Sequence, residues 1–265
     1  MFVLGLTGSI AMGKSTASET FRCFGVPVFD ADAEVHRLFA PGGAAVVPVG
    51  TAFPGCVDAA LGIDRVALAR QVFRDPAALD RLEGIVHPLV RAAERRFLQH
   101  CAAARRPLAV LDIPLLYETG GERLVDAIAV VSAPAFLQAQ RVLRRKGMSA
   151  DRLAAIRRRQ LPDLEKRRRA DFVIPTGLDR RLAVRAIARI IDGVRGRLGT
   201  SWPDAWPDGP VAIVRDPTSL CGCDSVRAEA SSGDCHERHA QHHGGLPKCP
   251  IQPGRCRPGA ICRSF

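Results

Sequence analysis

Apolar residues enter this chain in short runs, each followed by a stretch where they recur at helical spacing. The first run, Val3-Leu4-Gly5-Leu6-Thr7, ends in a glycine-containing turn and predicts a buried strand. Residues 14–24 predict a helix, with Gly25 placed as a helix-ending glycine. Residues 26–29 predict a second strand that ends in Asp30-Ala31-Asp32. A helix over 33–39 follows and is stopped by Pro41-Gly42-Gly43. Helical spacing returns over 65–73 and 77–101, the second stretch interrupted around His87-Pro88. Three more strands are expected at 108–111, 127–131 and 172–174, with helices over 135–145 and 179–198. Five short apolar strands separated by helices predict an α/β fold, a parallel five-stranded sheet with helices on both faces. Ligands bind such sheets at the carboxyl ends of the strands. Ser9 to Thr16, Asp30, Asp32 and Asp112 all fall there.

After residue 198 the periodicity stops. Residues 200–265 are rich in Gly, Pro, Ser, Cys and His and have few large aliphatics, so the domain boundary is expected near Gly199 and the tail is expected to be disordered. Six of the nine cysteines crowd the tail, at 221, 223, 235, 249, 256 and 262, while Cys23, Cys56 and Cys101 are scattered through the first part. A zinc module in the tail is the weighed alternative. Its Cys221-Gly222-Cys223 is too tight for the common knuckle, and the other cysteines are widely spaced. No apolar run nears the ~20 residues a bilayer crossing needs. No basic segment precedes an apolar one at the start, and a cytoplasmic location is expected.

Charge sharpens the picture. The chain carries a net +11, and residues 199–265 contribute seven Lys/Arg against seven Asp/Glu, so the whole excess lies earlier. Between Arg141 and Arg169 stand twelve Lys/Arg and three acids, a concentration suited to a polyanion. Nucleic acid is disfavoured as that polyanion. Aromatics are only 5% of the chain, which leaves few platforms for stacking bases.

The chemistry is concentrated at the first turn. Gly8-Ser9-Ile10-Ala11-Met12-Gly13-Lys14-Ser15 fits G-x-x-x-x-G-K-[ST], between a predicted strand and a predicted helix. Backbone N–H groups from Gly8 through Thr16, including those of Ala11, Met12 and Gly13, would cradle phosphates. Lys14 would reach the β- and γ-phosphates of ATP, and the Ser15 hydroxyl would ligate Mg²⁺. No asparagine occurs anywhere, so the guanine-reading Asn-Lys-x-Asp of GTPases is absent and a kinase is favoured. Phosphorylating a hydroxyl needs a carboxylate to hold its proton. Asp32 is the candidate base, with Asp30 expected to point the same way by the period of a strand. Asp112, ending a strand, is the candidate second metal or acceptor contact. Arg141, with Arg144-Arg145-Lys146, fits a lid over about 140–165 that closes on the phosphates and excludes water. The run Lys166-Arg167-Arg168-Arg169 is kept apart from the lid, a solvated end being its simplest reading.

These pieces also occur in a family order. Gly5-Leu6-Thr7-Gly8 with the phosphate loop, Phe29-Asp30-Ala31-Asp32, Ile85-Val86-His87-Pro88, Asp112-Ile113-Pro114-Leu115-Leu116-Tyr117-Glu118, Gln138 and Gln140-Arg141, and Ala170-Asp171-Phe172-Val173-Ile174 resemble the dephospho-CoA kinase family over about residues 2–198. The resemblance implies transfer of the ATP γ-phosphate to the 3′-hydroxyl of dephospho-CoA, the last step of coenzyme A synthesis. It implies a nucleotide-binding core, a helical substrate domain and a lid. Asp32 matches the family's proposed base, Arg141 its lid arginine, and His87 with Leu115 to Glu118 its acceptor-side segments. The expected partner is a small-molecule acceptor, not a nucleic acid or a membrane, and no particular oligomer is implied. Two positions depart from the pattern: Ala11 stands where the family loop has glycine, and Pro175-Thr176-Gly177 replaces a segment that often carries asparagine.

Overall fold

Strand β1 (Phe2–Thr7) is buried along its whole length and is the central strand of the large sheet. The computed structural model describes residues 1–204 and 206, apart from 59, 61, 73, 74, 146, 147 and 178, and leaves the side chains of 151, 152, 155 and 159 aside. The cysteine- and histidine-rich stretch from 207 onward, with its expected disorder and its zinc alternative, lies outside the described residues.

From β1 the chain turns into α1 (Lys14–Cys23), then β2 (Val28–Asp30) and α2 (Ala31–Phe39). Next come α3 (Val46–Ala52), a short hairpin of β3 (Val57–Asp58) and β4 (Gly62–Ile63), α4 (Arg65–Val72) and the 28-residue α5 (Pro76–Ala103). β5 (Leu108–Asp112), β6 (Ala127–Ser132), α6 (Ala135–Leu143), α7 (Ala150–Arg159), α8 (Asp163–Arg169), β7 (Phe172–Pro175) and α9 (Arg180–Val194) complete it. The large sheet is parallel, in the order β2-β5-β1-β6-β7. Its register sets Leu6 beside Asp112 and Asp112 beside Asp30, so the chemistry-bearing residues gather at the carboxyl ends.

Alternation along β1 splits the core. Phe2, Leu4 and Leu6 face a layer that includes Phe21 of α1 and Ile187 and Ile190 of α9. Val3 faces the opposite layer, with Leu98 of α5, Leu111 and Val130. Each fully buried aliphatic contributes roughly 1.5–3 kcal/mol, and the two layers clamp the sheet between helices. A third cluster, with Phe39, Val49, Phe53, Ile63, Leu68 and Val86, forms a separate helical part from α2 to α5.

Several elements differ from expectation. α5 runs unbroken through His87-Pro88, because Val86 is anchored in the third cluster and Leu98 in the sheet-facing one. Packing at both ends outweighs the ~3 kcal/mol that an interior proline costs. The 46–63 segment folds into α3 and the hairpin, elements too short and too broken by Pro48 and Gly50 to show a period. Lys166 lies in a fully buried position on α8, so the basic run around it is not all solvated. The chain also stays on the fold past Gly199. The backbone N–H groups of Thr200 and Ser201 donate to Asp126 Oδ1 at 2.7 Å each, and Trp206 is buried in the layer under α5.

Candidate active site

The loop between β1 and α1 is shaped by its neighbours. A Cβ at Gly8 would stand 2.8 Å from the Val131 carbonyl oxygen, so only glycine lets β1 run into the loop here. Gly13 has φ 91°, in the left-handed region, and precedes α1 without a side-chain cap. α2, α5 and α9 are capped by Asp30, Asp75 and Asp179. The α1 terminus has no such cap and no acid in its first turn, which leaves its N–H groups and partial positive charge for an anion. The Thr176 hydroxyl donates to the Met12 carbonyl, and the Thr176 N–H donates to Ser132 O at 2.9 Å, tying the loop to the ends of β6 and β7.

Lys14 Nζ donates to Asp112 Oδ1 at 2.5 Å and lies 4.0 Å from Asp32 Oδ2. The Ser18 hydroxyl donates to the other Asp112 oxygen, so both oxygens of this buried carboxylate are taken. Burial pushes the Asp112 carboxyl above the usual range, against the lowering effect of the Lys14 charge and the two hydrogen bonds. Asp30 and Asp32 do not act as a pair. The helix begins at Ala31, so Asp30 is its cap, accepting from Ala33 N at 3.0 Å, and Asp32 sits in the first turn with an exposed carboxylate. The period is helical, and the strand expectation is corrected accordingly.

These groups open onto a cavity of about 880 Å³. Gly8, Ala11, Met12, Gly13, Lys14, Ser15 and Thr16 form its floor, and Asp32 and Pro114 one wall. Arg141, Arg144, Arg145 and Arg180 bring positive charge to it, with Gln160, Thr176 and Gly177 between them. Arg141 is fastened to the core: one amino group donates to Thr176 O at 2.7 Å and the other approaches Ala11 O at 3.4 Å. The site joins a phosphate loop, a lysine, a facing carboxylate and an arginine cluster, the parts a phosphoryl transferase needs.

A family model described as dephospho-CoA kinase matches residues 2–178. The chain belongs to the dephospho-CoA kinase family. It is 57% identical over 185 residues to a dephospho-CoA kinase of Rhodospirillum rubrum, covering 70% of this chain and 88% of that one. It is 64% identical over 168 residues to that of Paramagnetospirillum magneticum, covering 63% and 78%. Among solved structures it resembles TT1252 from Thermus thermophilus, with 34% identity, a TM-score of 0.64, and 72% of this chain and 96% of that one covered. It also resembles a dephospho-CoA kinase from Campylobacter jejuni, with 25% identity, a TM-score of 0.56, and 74% and 98% covered.

Not every residue that the dephospho-CoA kinase pattern marks reaches the cavity. His87 is exposed on α5, and neither it nor Leu115 or Glu118 lines the cavity wall. Glu118 is engaged elsewhere, its Oε1 accepting from Leu161 N at 2.8 Å and lying 2.8 Å from the buried Lys166 ammonium. Asp112 does not line the cavity and meets it only through its hydrogen bond with Lys14. Conversely, Arg180 and Thr176 were not singled out as site residues. Arg180 directly follows the Asp179 cap, and that helix start after the last strand was the signal that could have found it. No helix among the described residues is long and apolar enough to cross a membrane.

Proposed function

We propose that this chain transfers the γ-phosphoryl group of ATP to the 3′-hydroxyl of dephospho-CoA, releasing ADP and coenzyme A, with Lys14 and Asp32 at the reacting atoms. One observation carries the residue assignment: the Lys14 ammonium stands between a buried carboxylate, Asp112, and an exposed one, Asp32, at the cavity floor. In this reading the loop amides and Lys14 hold the β- and γ-phosphates. Asp32 holds the acceptor hydroxyl and takes its proton as the new P–O bond forms and the bond to ADP breaks. Asp112 and Ser18 keep Lys14 extended. Arg141, Arg144, Arg145 and Arg180 offset phosphate charge and, with the segment around α7, exclude water when it closes.

The residues present fit Mg²⁺ in part. The Ser15 hydroxyl lies on the cavity and is free to be a ligand beside phosphate oxygens and water, the usual surroundings of this ion. Both Asp112 oxygens are already engaged, so its support would come through water or through Lys14. When bound, the ion would neutralise charge on the β- and γ-phosphates. The acceptor is a small molecule, and the reading calls for neither nucleic acid nor membrane.

The test is ADP release measured with dephospho-CoA, adenosine or AMP as acceptor. Release should depend on dephospho-CoA, and equal rates with all three would overturn the assignment. Asp32→Asn should still bind ATP while turnover falls ~10²-fold or more. Lys14→Ala should lose at least as much. Asp30→Asn keeps the helix cap, since asparagine caps as well as aspartate does, and should turn over nearly normally. An Asp32→Asn enzyme as active as Asp30→Asn would remove Asp32 from the chemistry.

A further inference from the structure

Both backbone polar groups of Ile10, inside the phosphate loop, are gripped, one in each of the two peptide planes that meet at its Cα. Its N–H donates to Gln160 Oε1 at 3.2 Å, and its carbonyl accepts from Gln138 Nε2 at 3.0 Å. Gln138 is a buried residue of α6, and Gln160 directly follows α7. The Gln138 amide is not free to turn over. Arg157 of α7 donates to Gln138 Oε1 from both Nε, at 3.1 Å, and an amino group, at 2.5 Å. A guanidinium can only donate, so the Gln138 oxygen must face Arg157 and its NH₂ must face Ile10. Gln160 is steadied in turn, because the next residue, Leu161, is held through its N–H by Glu118.

Two further observations give this grip a task. Behind the loop lies a cavity of about 320 Å³ bordered by Ser9, Met12, Gln138, Arg157 and Gln160, so close packing does not back the loop on that side. The residue after Ile10 is Ala11, whose φ of 58° is a conformation that a side chain enters at a cost. A strained turn without packed support persists only where other bonds hold it.

We infer that Gln138 and Gln160 are positioning residues that set the two peptide planes on either side of Ile10, and with them the phosphate-binding geometry of the loop, when α6 and α7 are seated. Arg157 acts one step back by orienting Gln138. The arm that carries Arg141, Arg144 and Arg145 and the loop that cradles the phosphates are thereby coupled: unseating α7 releases Ile10. The effect belongs to ATP and not to the acceptor, because the gripped residue lies in the phosphate loop.

Two variants of the full chain separate this from simple gluing of α6 to α7. Gln160→Met removes the acceptor for Ile10 N–H at a half-buried position. Gln138→Glu strengthens the link to Arg157 but sets a carboxylate oxygen against the Ile10 carbonyl. ADP release is followed while ATP and dephospho-CoA are varied in turn, and unfolding is measured without ligand. Both variants should raise the KM for ATP about tenfold, the scale of leaving a partly enclosed backbone N–H or C=O unpaired, with little change in the KM for dephospho-CoA. Near-normal kinetics for Gln138→Glu would mean that only the contact with Arg157 matters, and the proposal falls. Equal increases in both KM values, or a lower unfolding temperature with an unchanged KM for ATP, would also overturn it. If Gln138→Glu does not fold, Gln160→Met decides alone. The inference rests on the kinase reading, yet displacement of a fluorescent ATP analogue measures the loop without any acceptor. A wild-type chain inactive toward dephospho-CoA would therefore sink that reading while leaving the clamp testable.

Discussion

Ala11 occupies the left-handed region with a φ of 58°, where its methyl group crowds the following carbonyl. That conformation costs about 1–2 kcal/mol, partly offset because alanine restricts the unfolded chain more than glycine does. Ala11→Gly should therefore stabilise the protein by about 0.5–1 kcal/mol and raise its melting temperature by about 2 °C. A calorimetric midpoint that falls would show that the loop does not carry this strain. At this scale the sequence was most readable where chemistry and chain are adjacent. Gly8, Gly13, Lys14, Ser15 and Thr16 are bound to their places by one turn, and all of them reach the cavity. Asp32 was legible as a residue facing the cavity, though for a geometric reason that did not hold: one helix start separates the positions of Asp30 and Asp32. The direction of Glu118 depends on partners far along the chain, whereas His87 and Leu115 are exposed and off the cavity. Glu118 is held by Leu161 and Lys166.

Elements show the same division. β1, β5, β6 and α9 carry enough contiguous apolar pattern to be read directly, because each faces a buried layer along most of its length; β7 is legible from its apolar run although Ile174 alone of its residues is buried. α5 was read as broken, since local rules weigh Pro88 without knowing that two cores hold the helix on either side of it. The basic run of α8 offered a solvated end as its simplest reading, because four consecutive basic residues give no hint that the first of them turns inward. Burying the Lys166 ammonium is tolerable only because Glu118 lies 2.8 Å away, and the two partners are not equal: Lys166 is wholly enclosed, while Glu118 keeps some solvent and also holds Leu161 N–H. Removing the carboxylate strands a buried cation, at a cost of about 3–5 kcal/mol. Removing the cation leaves a carboxylate with a backbone donor and partial hydration. Glu118→Ala should therefore lower stability clearly more than Lys166→Met does, as read from urea unfolding of the two variants. Equal losses, or a larger loss for Lys166→Met, would show that the pair does not anchor α8.

At the scale of the molecule, the expected boundary at Gly199 divides residues that belong together. Asp126 precedes β6. Its Oδ2 accepts from Val3 N at 2.7 Å, and its Oδ1 accepts from the N–H groups of Thr200 and Ser201. Burial alone would raise its carboxyl, but these backbone donors together hold it below the usual range. A depressed carboxyl adds stability above its unfolded pKa and loses it as pH falls through the folded one. Two of the three backbone donors lie beyond Gly199, as does Trp206, buried with the layer under α5. The composition of the segment hid this, because two tryptophans among Ser, Pro and Asp show no period, although one of them supplies core. A chain ending at Gly199 loses those donors and a buried indole, whose removal alone costs about 3–5 kcal/mol. Compared with a chain ending at Trp206, it should melt about 10 °C lower at neutral pH, on the usual scaling for a domain of this size. The gap should narrow as pH drops through the carboxylate range, since the longer chain alone holds Asp126 by Thr200 and Ser201 and so has more to lose to protonation. Equal melting temperatures for the two chains at neutral pH would return the boundary to Gly199. A gap that stays constant from neutral to acid pH would assign the stabilisation to Trp202 and Trp206 and leave Asp126 without a part in it.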